Sequence, residues 1–309
     1  MSVTNVQPPD KSIFEDAALE TGIAAPFVEK DWYVTQVISA LSAIETDGYE
    51  IIFSGGTALS KAHGLLQRFS EDIDFRVLTE NTGRKALSAY KNTVIEKLRE
   101  SGFDIEDHQI KARDGNRYFS IDLDYKTQFK RPDALRPHVQ IELTARDIQL
   151  PAIYLPVHSF VSRLAGHDPE VASIGCIDPV ESAADKLSAL AWRIPDRVRG
   201  DEYDDPAIVR HIHDLAVLKD AAMKNDDFAG LVLSSMSHDD RRSKNNPDFA
   251  GLPVDEKFKQ MFEILDTDQE YRREYERFVK GVSYAPEEDV PGYDAALDAV
   301  RLLAKSVIS

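Results

Sequence analysis

The run FSGGTALSKAHGLLQRFSEDIDF, residues 53–75, places two glycines, a lysine and two aspartates in one short segment. A strand that runs into Gly55-Gly56 lets backbone N–H groups approach an anion, and a helix opening at Thr57 directs its positive dipole end to the same place. Thr57 can cap that helix or touch a phosphate, and Lys61, one turn on, can point back toward it. A plain turn before a helix has the same pattern. Asp72 and Asp74, two apart on a strand, project from one face while Ile73 and Phe75 enter the core. Adjacent carboxylates repel unless cations neutralise them, and hard oxygens suit Mg²⁺; the alternative is a solvent-facing strand edge. A third carboxylate, Glu142, lies in VQIELT, where Val139, Ile141 and Leu143 alternate with Gln140, Glu142 and Thr144. If that strand neighbours the one carrying Asp72 and Asp74, the three oxygens can bracket two Mg²⁺ ions for in-line phosphoryl or nucleotidyl transfer. One ion would lower the pKa of an attacking hydroxyl, and the other would hold a triphosphate and stabilise the leaving pyrophosphate.

Other candidates rank lower. Asp122 and Asp124 form a second D-x-D with no Gly-Gly turn before it, which suits the solvent face of a hairpin strand. In ESAADKLSALAWRIPDR, Leu187, Leu190 and Ile194 form a core stripe while Lys186 and Arg193, seven residues apart, share another face; that face either clamps a triphosphate or is simply solvated. Arg210 and Asp214 are spaced as an i, i+4 helix pair. His211 and His213 diverge on a helix, which disfavours a zinc pair. Neither H-E-x-x-H nor G-x-S-x-G occurs.

The elements that must position these residues divide the chain into an α/β front half and a helical back half. Helical spacing runs over 28–44, 57–67 and 87–101; strands are expected at 49–54, 72–78, 119–125 and 139–144. From Pro179 onward helices are expected at 180–194, 206–224, 228–236, 256–265, 268–282 and 293–307, with Ser237–Pro253 as the longest loop. The reading is therefore α+β, with an α/β domain that includes the N-terminal helix over 1–175 and a helical domain over 176–309.

The chain's 309 residues allow about two domains. Its composition, 42% hydrophobic and 29% charged, excludes a disordered or fibrous chain. The single cysteine, Cys176, excludes an intramolecular disulfide and a multi-cysteine metal cage. No secretory pattern or 18-residue apolar run is present, so a cytoplasmic protein without a membrane span is expected. The net charge of −17 opposes non-specific nucleic-acid binding, but it is uneven: residues 111–146 carry +3, against −8 for 1–110 and −10 for 201–309. That basic segment, with Arg113, Arg117, Lys126, Lys130, Arg131 and Arg136, either contacts phosphates or is a solvated hairpin face.

Taken together, GGTALSK, RFSEDIDF, VQIEL, DKLSALAWR and RHIHDL, in this order, resemble the AbiEii/AbiGii group of nucleotidyltransferase toxins, which includes the mycobacterial MenT toxins. EKDW at 29–32 and EYERFVKGVSYA at 274–285 extend the resemblance over nearly the whole chain. It implies a DNA polymerase β-like nucleotidyltransferase core followed by a C-terminal helical domain, Mg²⁺ or Mn²⁺ dependence, an NTP donor, and an antitoxin partner from the same operon. A toxin–antitoxin or phage-defence role follows, with the tRNA 3′ end as one acceptor; a protein or small-molecule acceptor, or nucleotide binding without turnover, stays open. By matched position the resemblance assigns Gly55, Gly56, Thr57, Lys61, Arg68, Ser70 and Arg193 to the nucleotide and Asp72, Asp74 and Glu142 to metal. Lys186 and Asp214 join those three carboxylates as catalytic residues. The chain departs from the family's R-D-x-x-D at His211, and its 196–206 loop is long and acidic.

Overall fold

The computed structural model describes residues 6–70, 72–132, 135–202, 204–242 and 246–308. The chain forms two compact units, one of Met1–Gly64 with Phe69–Ile177, the other of Leu65–Arg68 with Asp178–Ser309.

The first unit runs α1 (Lys11–Thr21), α2 (Ala25–Ser42), β1 (Glu50–Ser54), α3 (Gly55–Thr57), β2 (Asp72–Leu78), α4 (Arg84–Glu100), β3 (Ile110–Arg113), β4 (Tyr118–Asp124), β5 (His138–Ala145), β6 (Ile153–Val157), α5 (Phe160–Leu164) and β7 (Val171–Cys176). Seven strands form one mixed sheet in the order β3-β4-β5-β2-β1-β7-β6. β2 is parallel to β5 and antiparallel to β1. Ile73, Phe75, Ile141, Leu143, Phe119 and Ile121 point to one face, where Val34, Ile38 and Leu41 of α2 and Val94 and Leu98 of α4 bury them. Each such side chain contributes about 1.5–3 kcal/mol on full burial. A one-residue slip of β2 would expel Ile73, Phe75 and Val77 and bury Asp72 and Asp74, so the core fixes the register that carries the carboxylates.

The second unit contains α6 (Pro179–Asp196), α7 (Arg210–Met223), α8 (Phe228–Arg242), α9 (Pro247–Ala250), α10 (Val254–Thr267), α11 (Glu270–Val282) and α12 (Tyr293–Ile308). Asp178 caps α6 by accepting from Val180 N at 2.7 Å, with Pro179 at the first helical position. Ala183, Leu187, Leu190 and Ile194 form the buried stripe of α6, which packs on α7, α8 and α10. The acidic loop after α6 is folded by its own arginines. Arg197 makes a two-pronged pair with Glu274 (2.6 and 2.6 Å) and bonds Asp204 at 2.7 Å.

Three expectations change. The helix expected over 57–67 is α3 plus one π-helical turn, Ala58–Ala62, and Gly64 at φ +65° ends it. The 237–253 loop is partly helical, since α8 runs to Arg242 and α9 follows; residues 243–245 lie outside the described residues. Strands β3, β6 and β7 are not among the expected strands; β3 and β6 are the two edges of the sheet, and β3 leaves three of its four residues exposed. Among the described residues no helix is long and apolar enough to cross a membrane.

Candidate active site

The sheet register brings the acidic residues together on the face opposite the core. Asp74 pairs with Ser54 of β1 on one side and Glu142 of β5 on the other, and Ser120 of β4 follows Glu142. Asp72 pairs with Gln140, and Gln140 with Asp122. Paired residues across a ladder point the same way, so these polar side chains share one surface.

Gly55 is indispensable to that surface. Its φ is +74°, and a Cβ built on it would sit 2.7 Å from Asp74 Cγ and overlap the carboxylate. The missing side chain lets the Asp74 carboxylate lie against the turn. Thr57 is fully buried and donates its hydroxyl to the carbonyl of Asp72. Thr57 therefore ties the turn to β2 and makes no side-chain cap on the π-helical turn that follows. Ser70 is half-buried two residues before Asp72.

Lys61 has a carboxylate partner on α2. It forms a buried ion pair with Asp31 of α2, whose other oxygen accepts from Phe160 N at 2.8 Å. Breaking such a pair leaves a buried charge without its counterion. Asp31→Ala is therefore expected to destabilise the protein by about 3 kcal/mol in urea unfolding, and Asp31→Ala/Lys61→Met by clearly less.

Asp72, Asp74 and Glu142 do not form one ion-sized cage: among the described residues, no three His, Cys, Asp or Glu side chains stand close enough to hold an ion. Asp72 and Glu142 already have partners of their own. Asp72 Oδ1 accepts from Arg136 Nη1 at 2.6 Å, and Glu142 is hydrogen-bonded to Tyr118. Burial raises the Glu142 carboxyl above its ordinary range, opposed by the Tyr118 bond. Mg²⁺ usually takes one or two carboxylates and completes its shell with substrate phosphates and water. Two hard oxygen donors on one strand face, Asp72 and Asp74, fit that requirement.

The second unit holds the remaining expected residues. Asp214 is fully buried and accepts from Arg68 Nε at 2.7 Å and Nη2 at 2.6 Å, while Lys186 Nζ lies 2.9 Å from its Oδ2. Burial alone would raise the Asp214 carboxyl, but Arg68 and Lys186 outweigh it and hold it well below the usual range. The expected Arg210–Asp214 pair is replaced: Arg210 bonds Asp205 at 2.9 Å, which also takes Arg193 at 2.8 Å. Lys186 and Arg193 are thus not a solvated face of α6; each is set against a carboxylate. His211 is kept neutral by burial and by Arg210, Lys186 and Arg193.

Sequence reasoning missed Arg136 and Tyr118 as neighbours of the carboxylates. The signal for Arg136 was parity: positions 136, 138, 140 and 142 alternate with the apolar set of β5, so Arg136 continues the Glu142 face. The rival pair is otherwise engaged. Asp122 bonds Lys111 at 2.8 Å, and Asp124 accepts from Gln109 at 3.3 Å.

With this geometry in place, likeness to known proteins is informative. Residues 39–299 match the family described as nucleotidyl transferase AbiEii toxin, type IV toxin–antitoxin system, and the chain belongs to that family. It is accordingly a nucleotidyltransferase of the type IV toxin class, for which an NTP substrate and an antitoxin partner are family properties. In structure it is similar to MenT4, a nucleotidyltransferase toxin from Mycobacterium tuberculosis H37Rv, with a TM-score of 0.53 at 17% identity over 96% of this chain and 99% of that one. At that identity the likeness is one of fold. By sequence, the chain has no match among curated proteins.

Proposed function

We propose that the chain transfers a nucleoside monophosphate from an NTP to the 3′ end of a tRNA in the cytoplasm, as a toxin restrained by an antitoxin from its own operon. The observation that carries this reading is the shared face of Asp72, Asp74 and Glu142 beside the side-chain-free Gly55. Asp72 and Asp74 would hold Mg²⁺, or Mn²⁺ in its place, which supplies Lewis-acid polarisation of the phosphate when bound. Gly55 leaves room for the Asp74 carboxylate at the turn, and the backbone N–H groups of Gly55-Gly56 are the groups that would meet phosphate oxygens. Glu142 takes the proton of the attacking hydroxyl, a role suited to a carboxyl that burial makes more basic. The new P–O ester bond forms at the α-phosphorus as the bond to pyrophosphate breaks. Within the helical unit, Lys186 and Arg68, both set on Asp214, and Arg193 are the cations suited to bind an anion.

An RNA acceptor is favoured by the only net-basic segment of the sequence, whose Lys111, Arg113 and Arg117 are exposed on and beside the β3–β4 hairpin. Such side chains meet phosphates without reading sequence, and the surrounding acidity restricts them to a short contact. Incubation with each labelled NTP and total bacterial tRNA is expected to label RNA with wild type and to leave it unlabelled with Asp74→Ala. Label on protein instead of RNA overturns the acceptor assignment. Equal labelling by wild type and Asp74→Ala overturns the site.

A further inference from the structure

Arg136 stands on the carboxylate that the proposed function assigns to metal. Its Nη1 donates to Asp72 Oδ1 at 2.6 Å and also to Gln140 Oε1, the register partner of Asp72. The two ends of this residue are held very differently. Its carbonyl accepts from Lys30 Nζ at 3.0 Å, and Lys30 is fully buried in α2. Next to Lys30, Glu29 is buried too and grips the same loop, accepting from Thr127 Oγ1 and from Gln128 N at 2.7 Å. The Arg136 side chain, by contrast, is 45% exposed, and its Asp72 partner 31%. A backbone pinned by the buried Glu29-Lys30 pair thus carries a guanidinium that solvent can reach and that a competing charge can displace.

We propose that Arg136 is a placeholder cation that couples metal binding to nucleotide binding. This rests on the reading of Asp72 as a metal ligand. A divalent ion arriving alone must displace a charge-assisted hydrogen bond from Asp72 and then lies beside a positive guanidinium. An ion arriving with a triphosphate removes both penalties, because the phosphates give the released guanidinium an anionic partner. Arg136 therefore opposes the bare ion and favours the ion–nucleotide complex, which is a coupling free energy between two ligands of one site. Arg113 is the contrasting cation. It acts on the same face through the charge it presents to Glu142, with its guanidinium stacked 4.6 Å from the Tyr118 ring centroid, and it is not the donor seen on Asp72 Oδ1.

The test is Mn²⁺ binding to the full chain without nucleotide, followed by electron paramagnetic resonance, in wild type, Arg136→Gln, Arg136→Lys, Arg113→Gln and Asp72→Asn. Arg136→Gln is expected to bind Mn²⁺ about fivefold more tightly than wild type, the scale of one partly exposed ion pair. Arg136→Lys, which keeps a cation, is expected to stay close to wild type. In a second measurement, α,β-methylene nucleotides are titrated at saturating Mg²⁺, and Arg136→Gln is expected to bind the preferred one several-fold more weakly. Unchanged Mn²⁺ affinity in Arg136→Gln overturns the proposal, as does an equal gain in Arg113→Gln, which would mark a diffuse field effect. The reading beneath it fails separately, if Asp72→Asn binds Mn²⁺ as wild type does.

Discussion

Gly55→Ala is expected to lower nucleotidyl transfer by at least about 100-fold, the scale on which a displacement near 1 Å at a reacting centre is felt. Two costs act at this one position. The backbone holds φ at +74°, a conformation that costs an L-residue roughly 1–2 kcal/mol. The new methyl would also lie 2.7 Å from Asp74 Cγ and 2.9 Å from Asp74 Cβ, so either the β1–α3 turn or the carboxylate has to move. Asp74 is a poor candidate for harmless movement, since it is hydrogen-bonded into the sheet between β1 and β5 and flanked by Phe75 and Ile73 in the core. Together the two effects should destabilise the protein by about 2–4 kcal/mol. Gly64→Ala separates them. That residue is also left-handed (φ +65°), but an added Cβ meets nothing within 4 Å. It is expected to lose only the conformational part, about 1 kcal/mol, without the kinetic defect. Urea unfolding and initial rates of NTP-dependent labelling on both variants check the pair. A Gly55→Ala enzyme with near wild-type rates would show that Asp74 need not sit against the turn.

How far the sequence leads here depends on the range of the interaction involved. β2 and β5 were legible because burial on one face imposes strict alternation, and the same alternation announces Asp72, Asp74 and Glu142 on the other face. The longer helices of the second unit were legible from one-sided burial at the helical period, apart from their ends, whereas the four-residue α9 lies inside an expected loop. What alternation does not carry is which cation meets which anion across long sequence separations. Lys61 looked like a phosphate ligand from its place one turn after Gly-Gly, yet Asp31, thirty residues upstream, holds it. Asp214 looked like the i+4 partner of Arg210, yet its partners are Arg68 and Lys186. A charge on a helix is drawn to the deepest unmet opposite charge within reach, because low-dielectric surroundings strengthen the pair; helical spacing sets only the default when nothing deeper competes. The π-helical turn at Ala58–Ala62 was hidden for a different reason. Its residues, ALSKA, are ordinary helix formers, and nothing in their side chains marks the wider turn.

Asp214→Asn should produce the largest loss of stability among single changes in the helical unit, about 3–5 kcal/mol, because it leaves two buried cations facing a neutral amide. Arg68 is 3% exposed and Lys186 8% at the side chain, so water cannot substitute for the lost charge. The pH dependence has a definite sign. An unfolded aspartate titrates near ~3.9, and the folded Asp214 carboxyl lies well below that. Between the two values the unfolded chain binds a proton that the folded chain refuses, so the contribution is complete above the unfolded pKa and is lost as pH falls through the folded one. Wild type should accordingly lose stability with acidification below about pH 4 more steeply than Asp214→Asn, whose amide does not titrate. Stability and chemistry can then be told apart by removing the whole triad. Arg68→Met/Asp214→Leu/Lys186→Met replaces three buried charges with apolar side chains, a change that is often neutral or stabilising. If the triad serves only to hold the helices together, that variant should fold and transfer nucleotides. If Asp214 exists to orient Lys186 and Arg68 for anion binding, the variant should recover most of the unfolding free energy while nucleotide labelling stays absent. Urea titration beside the labelling assay reads the two results from one preparation, and recovery of both would remove the triad from the catalytic machinery.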